Sequence, residues 1–329
     1  MEPAAPEPRI SVIVPVRDRA QLLAALLDAL AVQTFTDFEV VVVDDHSTDG
    51  TPEVAAAAAR SGLRVRMVPN EGEGAYAGRR TGVANSSTPW LAFTDSDCVP
   101  APEWLKAGMT ALESGADVVN GRTEAARAAR PLERTMESGE EGLYPTCNVF
   151  YRRDAYEAAG GFDPHAGERF GFAEGTTPRR MGFGEDTLLG WRVRRAGRAV
   201  YAPDALVRHQ VLPVDLADTF RRTWMMVAFP ALFREVPELR AGPLVRHGVV
   251  LNTPGRYGVY WFAAALATRR PALIAAAGAG WITRRARLLR GPGATRREKL
   301  VALPVQMGLD VVITGALLAG SARFRSLVV

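Results

Sequence analysis

Two aspartates with one residue between them, Asp95 and Asp97 in Thr94-Asp95-Ser96-Asp97, follow the apolar run Trp90 to Phe93, so both carboxylates stand where a strand ends. Hard oxygen ligands suit Mg2+ or Mn2+, which take one or two protein carboxylates and complete their shell with phosphate oxygens and water. That is the cation a diphosphate needs. In isolation so short a motif reads more readily as a polar turn capping the helix that begins near Pro102. A second acidic pair, Glu185-Asp186, opens a helical segment running to Arg195. A carboxylate there either takes a proton from an attacking hydroxyl as general base or simply starts the helix. Glu185 and the helix start would move the pKa of Asp186 in opposite directions. A third pair, Asp44-Asp45, closes the apolar run Phe38 to Val43.

These groups need a scaffold that brings strand ends together. Ile10 to Val16 is a β-branched run bounded by Pro8 and Arg17-Asp18 and reads as a buried strand. Leu22, Leu23, Leu26, Leu27 and Leu30 recur at helical spacing, and a second helix follows Pro52. Further strands are expected at Leu63–Val68, Trp90–Thr94 and Asp117–Asn120, and helices at Gly78–Ala84, Pro102–Ser114 and Leu216–Arg234. Alternating strands and helices imply an α/β fold with a mainly parallel central sheet, which binds ligands beyond the carboxyl ends of its strands. The acidic loops after Val43 and Thr94 fall at such ends.

Composition narrows the class. The chain has 329 residues, 47% hydrophobic and 23% charged, and suits one large α/β domain, 1–210, with a helical appendage, 211–329. Cys98 and Cys147 lack any C-x-x-C spacing, which argues for reduced thiols rather than a zinc site or a disulfide framework. The start M-E-P-A-A-P-E-P is acidic and proline-rich where a signal peptide would be basic and then apolar, so the expectation is no signal peptide and a cytoplasmic location. No G-x-G-x-x-G follows the first strand, which disfavours a dinucleotide cofactor.

The strings S-V-I-V-P-V-R-D-R at 11–19, V-V-V-D-D-H-S-T-D-G-T at 41–51, T-D-S-D-C at 94–98, A-A-G-G-F-D at 158–163 and G-F-G-E-D-T-L-L-G-W-R-V-R-R-A-G at 182–197 resemble family 2 glycosyltransferases of the GT-A fold, in the family's order, over roughly residues 9–210. The resemblance implies inverting transfer of one sugar from a nucleoside-diphosphate sugar, a UDP- or GDP-sugar, to an acceptor hydroxyl. It places Pro15, Val16, Arg17 and Asp45 around the donor base, with Asp44 in support. Arg79 falls at the nucleotide or its phosphates, Asp95 at the ribose or the metal's surroundings, and Asp97 on Mg2+ or Mn2+. His209 matches a position that ligates the metal in some relatives; as spacing alone it is equally an ordinary loop histidine. Asp186 takes the role of general base, with Glu185 and Trp191 on the acceptor side, although an aromatic on a helix more often packs in a core. F-R-R-T-W at 220–224 departs from the Q-x-x-R-W of processive relatives, which favours single transfer over polymer synthesis. The stretch 165–180 is longer than the family's usual connection and is expected to form an acceptor loop. A non-catalytic nucleotide-sugar-binding relative would keep Asp45 while losing Asp97 or Asp186, and both are present.

The appendage reads differently. From Thr253 to Val329 there are twelve Lys or Arg against Glu298 and Asp310. Apolar runs at 257–268, 271–283 and 301–320 separate these arginines, which favours an anionic membrane surface over nucleic acid as partner. The acceptor is then a sugar, a small molecule or a lipid-linked group, and the enzyme works at the cytoplasmic face of the membrane. Residues 301–320 match the length of a bilayer span, but Asp310 at the centre would cost about 2.5–3.5 kcal/mol, so spanning the membrane and lying on it both stay open. Arg269-Arg270 and Pro271 divide 257–283 into halves suited to the interface, with Trp261 and Trp281 at headgroup depth.

Overall fold

In chain order the elements are β1 (Ile10–Val16), α1 (Ala20–Ala31), β2 (Phe38–Asp44), α2 (Thr51–Arg60), β3 (Val65–Pro69), α3 (Gly74–Ala84), β4 (Trp90–Phe93), β5 (Cys98–Pro100), α4 (Trp104–Glu113), β6 (Val118–Ala125), β7 (Glu133–Arg134), β8 (Val149–Arg152), α5 (Arg153–Ala158), α6 (Ala166–Arg169), α7 (Glu185–Ala196), β9 (Ala199–His209) and β10 (Leu212–Pro213). This computed structural model describes residues 7–170, 172, 183–246, 249–250, 255–289 and 294–328. Two compact units emerge, 1–126 with 136–210, and 127–135 with 211–329. In the first, eight strands form one sheet in the order β3-β2-β1-β4-β8-β6-β9-β5. β1 runs parallel to β2 and β4, and β2 parallel to β3, whereas β8 is antiparallel to both β4 and β6. β6 and β9 run parallel, and β5 closes the sheet antiparallel to β9. Every residue of β1 is buried, as befits a central strand covered on both faces by helices. α1 lays Leu23, Leu26, Leu27 and Leu30 into that core.

Register explains why the acidic loops meet. Val16 lies opposite Asp44, Asp44 opposite Pro69, and Ile13 opposite Phe93, so residues 17, 45, 70 and 94 leave the sheet along one edge. The α/β fold and mainly parallel sheet expected from the sequence are observed; the antiparallel strands β5 and β8 were not anticipated. A cavity of about 580 Å3 lined by Leu27, Leu30, Phe38, Val54 and Leu63 sits at the amino ends of β2 and β3, opposite the acidic loops.

The second unit continues with α8 (Leu216–Trp224), a 3-10 turn (Met225–Ala228), α9 (Phe229–Glu235), α10 (Arg256–Ala267), α11 (Pro271–Leu288) and α12 (Arg296–Phe324). The single helix expected over 216–234 is broken here, because Pro230 has no N–H to donate and fits only the first turn of α9. Among the described residues, α12 is the one helix long and apolar enough to cross a membrane. Asp310 does not face outward from it. Its carboxylate is buried and accepts hydrogen bonds from Trp281 Nε1 at 3.0 Å and Arg285 Nε at 2.6 Å, which replaces the lipid penalty expected for this residue with an internal ion pair. Trp281 is thereby buried, whereas Trp261 is 71% exposed.

The junction between the parallel and antiparallel halves of the sheet rests on Asn148, which is fully buried. Its Oδ1 accepts from Trp104 Nε1 at 2.8 Å, and its Nδ2 donates to the carbonyls of Arg122 at 2.8 Å and Ala205 at 2.9 Å. One amide thus joins α4, β6 and β9. Gly121 is required beside it, since a Cβ there would lie 2.4 Å from the Ala205 carbonyl oxygen. Asn148→Ala leaves three buried partners unsatisfied and should lower the unfolding free energy by roughly 3 kcal/mol or more. Urea denaturation measures this, and a loss below about 1 kcal/mol would show that the junction does not depend on the amide.

Candidate active site

At the edge where β1, β2 and β4 end, Asp45 is buried and tightly held. Its backbone N–H donates to the Val16 carbonyl at 2.8 Å. Asn70 Nδ2 donates to its Oδ1 at 2.7 Å and the Gly74 N–H to its Oδ2 at 3.0 Å. The half-exposed Arg17 guanidinium stands 3.7 Å from the same carboxylate, and Pro15 and Val16 are buried behind it. Asp44 serves the loop itself, accepting the Ser47 N–H at 3.1 Å.

The second cluster lies in the loop after β4. Asp95 Oδ1 accepts from Arg79 Nη2 at 2.6 Å. Arg79 is buried on α3; burial alone would lower its pKa, but Asp95, Glu185 and Asp186 together outweigh that and raise it. Asp97 is 5% exposed, with Arg19 Nη1 at 2.7 Å from Oδ2 and His209 Nε2 at 3.5 Å from Oδ1. The pairing of β5 with β9 makes this meeting possible, since Cys98 is directly opposite His209. Ligand atoms of Asp97, Cys98 and His209 all lie within 4.8 Å of one another. Helix capping does not explain Asp97, because α4 begins at Trp104 without a side-chain cap.

This donor set fits a divalent cation. His209 Nδ1 lies 2.8 Å from the Gln210 carbonyl and Nε2 3.5 Å from Asp97 Oδ1, so with Nδ1 as the donor Nε2 would face the carboxylate as a second acceptor. Two acceptors facing each other are stabilised by a cation between them. In the ion-free protein a hydrogen bond with Cys147, then burial, hold the Cys98 thiol well above its usual pKa. Both cysteines are free and buried, as the sequence suggested.

The third cluster opens α7. Gly184 takes the left-handed φ of 71° that starts this helix, a conformation open to glycine. Glu185 is buried with Oε2 lacking a hydrogen-bond partner, and Asp186 is half-buried with Oδ1 accepting the Thr187 N–H at 2.7 Å. Burial, then the neighbouring Asp186, pushes Glu185 up to about 8. Burial also raises Asp186, to about 6, against the lowering effects of Thr187 and Arg79. Tyr76 points a buried, unpartnered hydroxyl into the same region, its pKa raised by burial and by the Glu185 charge. Trp191 is buried: its Nε1 donates to the Gly142 carbonyl at 2.8 Å and its ring packs against Tyr144 and the Arg194 guanidinium. Residues 171 and 173–182, which include most of the expected acceptor loop and Gly182, lie outside the described residues.

Residues 11–164 match the profile of Glycosyl transferase family 2. The glycosyltransferase AglE of Haloferax volcanii is 31% identical over 256 residues, covering 68% of this chain and 81% of that protein. The chain belongs to glycosyltransferase family 2. A pre-mycofactocin glycosyltransferase of Mycobacterium tuberculosis is 29% identical over 63% of the chain, which spans only 44% of that relative. Among solved structures, a mannosyltransferase of Pyrobaculum calidifontis in complex with GDP-Man and Mn2+ superposes with a TM-score of 0.54 at 19% identity, over 97% of this chain and 87% of its own. That likeness establishes the GT-A fold of this glycosyltransferase.

Arg19, Asn70 and Tyr76 join the site without having been singled out from the sequence. Asn70 follows the end of β3 and could have been found by the rule that placed Asp45, since residues just past parallel strands face the ligand edge. A pH dependence follows from the raised carboxyls. The folded protein holds a proton on Glu185 up to about pH 8, while an unfolded Glu releases it near its ordinary value of 4.5. Between these values the native state binds more protons than the unfolded state, so stability falls as pH rises. Denaturation of the metal-free protein at pH 5.5 and 8.5 should show that fall, and Glu185→Gln should flatten it. An equal slope in the variant would place the titration elsewhere.

Proposed function

We propose that this glycosyltransferase moves a single sugar from a nucleoside-diphosphate sugar to an acceptor hydroxyl with inversion, Asp186 acting as general base and Asp97 with His209 holding Mg2+ or Mn2+. The observation that carries this reading is the meeting of buried Asp97 and His209 at 3.5 Å in the loop where Arg79 holds Asp95 at 2.6 Å. The reading assigns donor-base recognition to Asp45, already oriented by Asn70 and Gly74, with Pro15, Val16 and Arg17 at the rim. Arg79 and Asp95 are assigned the diphosphate and ribose. A divalent cation, when bound, neutralises charge growing on the departing nucleoside diphosphate. Asp186 takes the hydroxyl proton as that oxygen attacks the anomeric carbon from the face opposite the leaving group. Glu185, protonated at neutral pH, spares Asp186 a second adjacent negative charge. GDP-Man and Mn2+ in the archaeal neighbour support the donor class and the metal.

A lipid-borne acceptor at an anionic membrane is favoured over a soluble one by the second unit. Trp261, Leu266, Leu273 and Leu300 are exposed there, at 71%, 49%, 45% and 74%. Its two acids past Thr253 are both engaged internally, Asp310 with Arg285 and Glu298 in the capping box of α12, so the remaining charge is cationic. Such a surface suits an interface between acyl chains and acidic headgroups.

Release of nucleoside diphosphate from UDP- and GDP-sugars with Mn2+ tests the chemistry. Asp186→Asn should lower turnover by about 10²–10⁴-fold without weakening donor binding. The wild-type rate should climb as pH passes about 6, where Asp186 loses its proton. Undiminished turnover in Asp186→Asn would remove Asp186 as the base. For the membrane, vesicles of phosphatidylglycerol should float the full chain while vesicles of phosphatidylcholine should not, and Trp261→Glu with Leu266→Glu should weaken that binding by about tenfold or more. A chain that floats with neither vesicle refutes the lipid surface.

A further inference from the structure

Asp97 already has a cation. Arg19, the residue that precedes α1, places Nη1 2.7 Å from Asp97 Oδ2 and 3.4 Å from Ser96 Oγ. The carboxylate is almost fully buried, while the Arg19 side chain is one-third exposed, at 33%. The Arg19 backbone is fixed independently, its N–H donating to Thr51 Oγ1 at 3.1 Å, so the guanidinium can leave without moving the helix start. Oδ1 of the same carboxylate faces His209 Nε2 at 3.5 Å. A divalent ion between Asp97 and His209 would bring two charges close to the guanidinium, and like charges at that range in a buried site repel strongly. Arg19 and the metal therefore compete for one carboxylate. A diphosphate changes the balance, since its oxygens accept a guanidinium fork as readily as a carboxylate does.

We propose that Arg19 is a positioning residue that neutralises Asp97 in the ion-free enzyme and moves onto the donor diphosphate when the divalent cation binds, so that cation and nucleotide bind cooperatively. The inference rests on the assignment of Asp97 as metal ligand. Arg19 keeps the buried carboxylate from standing uncompensated, a strongly unfavourable state. It also makes the bare site a poor one for Mn2+ alone. Once a diphosphate arrives, the same side chain adds to its binding, so each ligand raises the affinity of the other by the same factor.

Mn2+ binding to the full chain, followed by electron paramagnetic resonance with and without UDP or GDP, tests this without turnover. Wild type should bind Mn2+ weakly alone and at least about tenfold more tightly with the nucleotide. Arg19→Gln should bind Mn2+ alone roughly tenfold more tightly than wild type and show a nucleotide effect smaller by a similar factor, keeping only the part due to direct phosphate coordination. Arg19→Lys, which keeps the charge, should restore part of it. Equal Mn2+ affinity in wild type and Arg19→Gln, with the nucleotide effect intact, overturns the proposal. Asp97→Asn separates the two levels of inference: if it leaves Mn2+ binding unchanged, the metal assignment itself falls and the role of Arg19 falls with it.

Discussion

One buried guanidinium constrains the first unit. Arg79, a buried residue of α3, is hydrogen-bonded to Asp95, and its charge also acts on Glu185 and Asp186. A cation in such surroundings is tolerable only with acids beside it, and buried acids are tolerable only with a cation. Three carboxyls share one positive charge, and a proton kept on Glu185 reduces the excess to two carboxylates against one guanidinium. This requirement holds together elements far apart in the chain: α3, the loop after β4 and the start of α7. The parallel strands supply the geometry through their register, and the acid cluster supplies the reason for their ends to converge.

The parts of this arrangement that repeat locally were legible in the sequence. Val12 to Val16 and Val40 to Val43 are unbroken apolar runs because both faces of their strands are covered, and the acidic residues that follow them could be placed at strand ends from that alone. Short antiparallel strands were not legible. β5 is three residues long and β8 four, too brief for any periodicity, and their identity depends on partners elsewhere in the sheet. Ion pairs such as Arg19 with Asp97 join residues 78 positions apart and leave no local pattern. The family resemblance supplied Asp97, His209 and Asp186 together, which spacing alone could not, and the fold sets the first two side by side. Trp191, an aromatic on a helix and so more often a core residue than a sugar contact, is buried with its N–H on the Gly142 carbonyl.

The second unit resolves a conflict that its sequence could not. An aspartate in the middle of an apolar helix argues against a membrane, and arginines at intervals argue for an acidic surface. Pairing Asp310 with Arg285 removes one charge of each sign from the outside of the helices and leaves apolar side chains and arginines there. Residues 127–135 belong to this unit although they are inserted between strands of the first. β7 in that insertion pairs with β10, so the chain is threaded twice into the same helical assembly.

The three-residue strand β5 is the outermost strand of its sheet, and its pairing with β9 sets Cys98 opposite His209, while the Gln210 N–H donates to the Asp97 carbonyl. Edge strands of this length are among the first segments of a protein to open locally, at a free energy well below that of global unfolding. The proposed metal-ligand pair therefore depends on the pairing of one short edge strand. Bound metal and nucleotide, by clamping β5 to β9, would act as the missing neighbour of that edge.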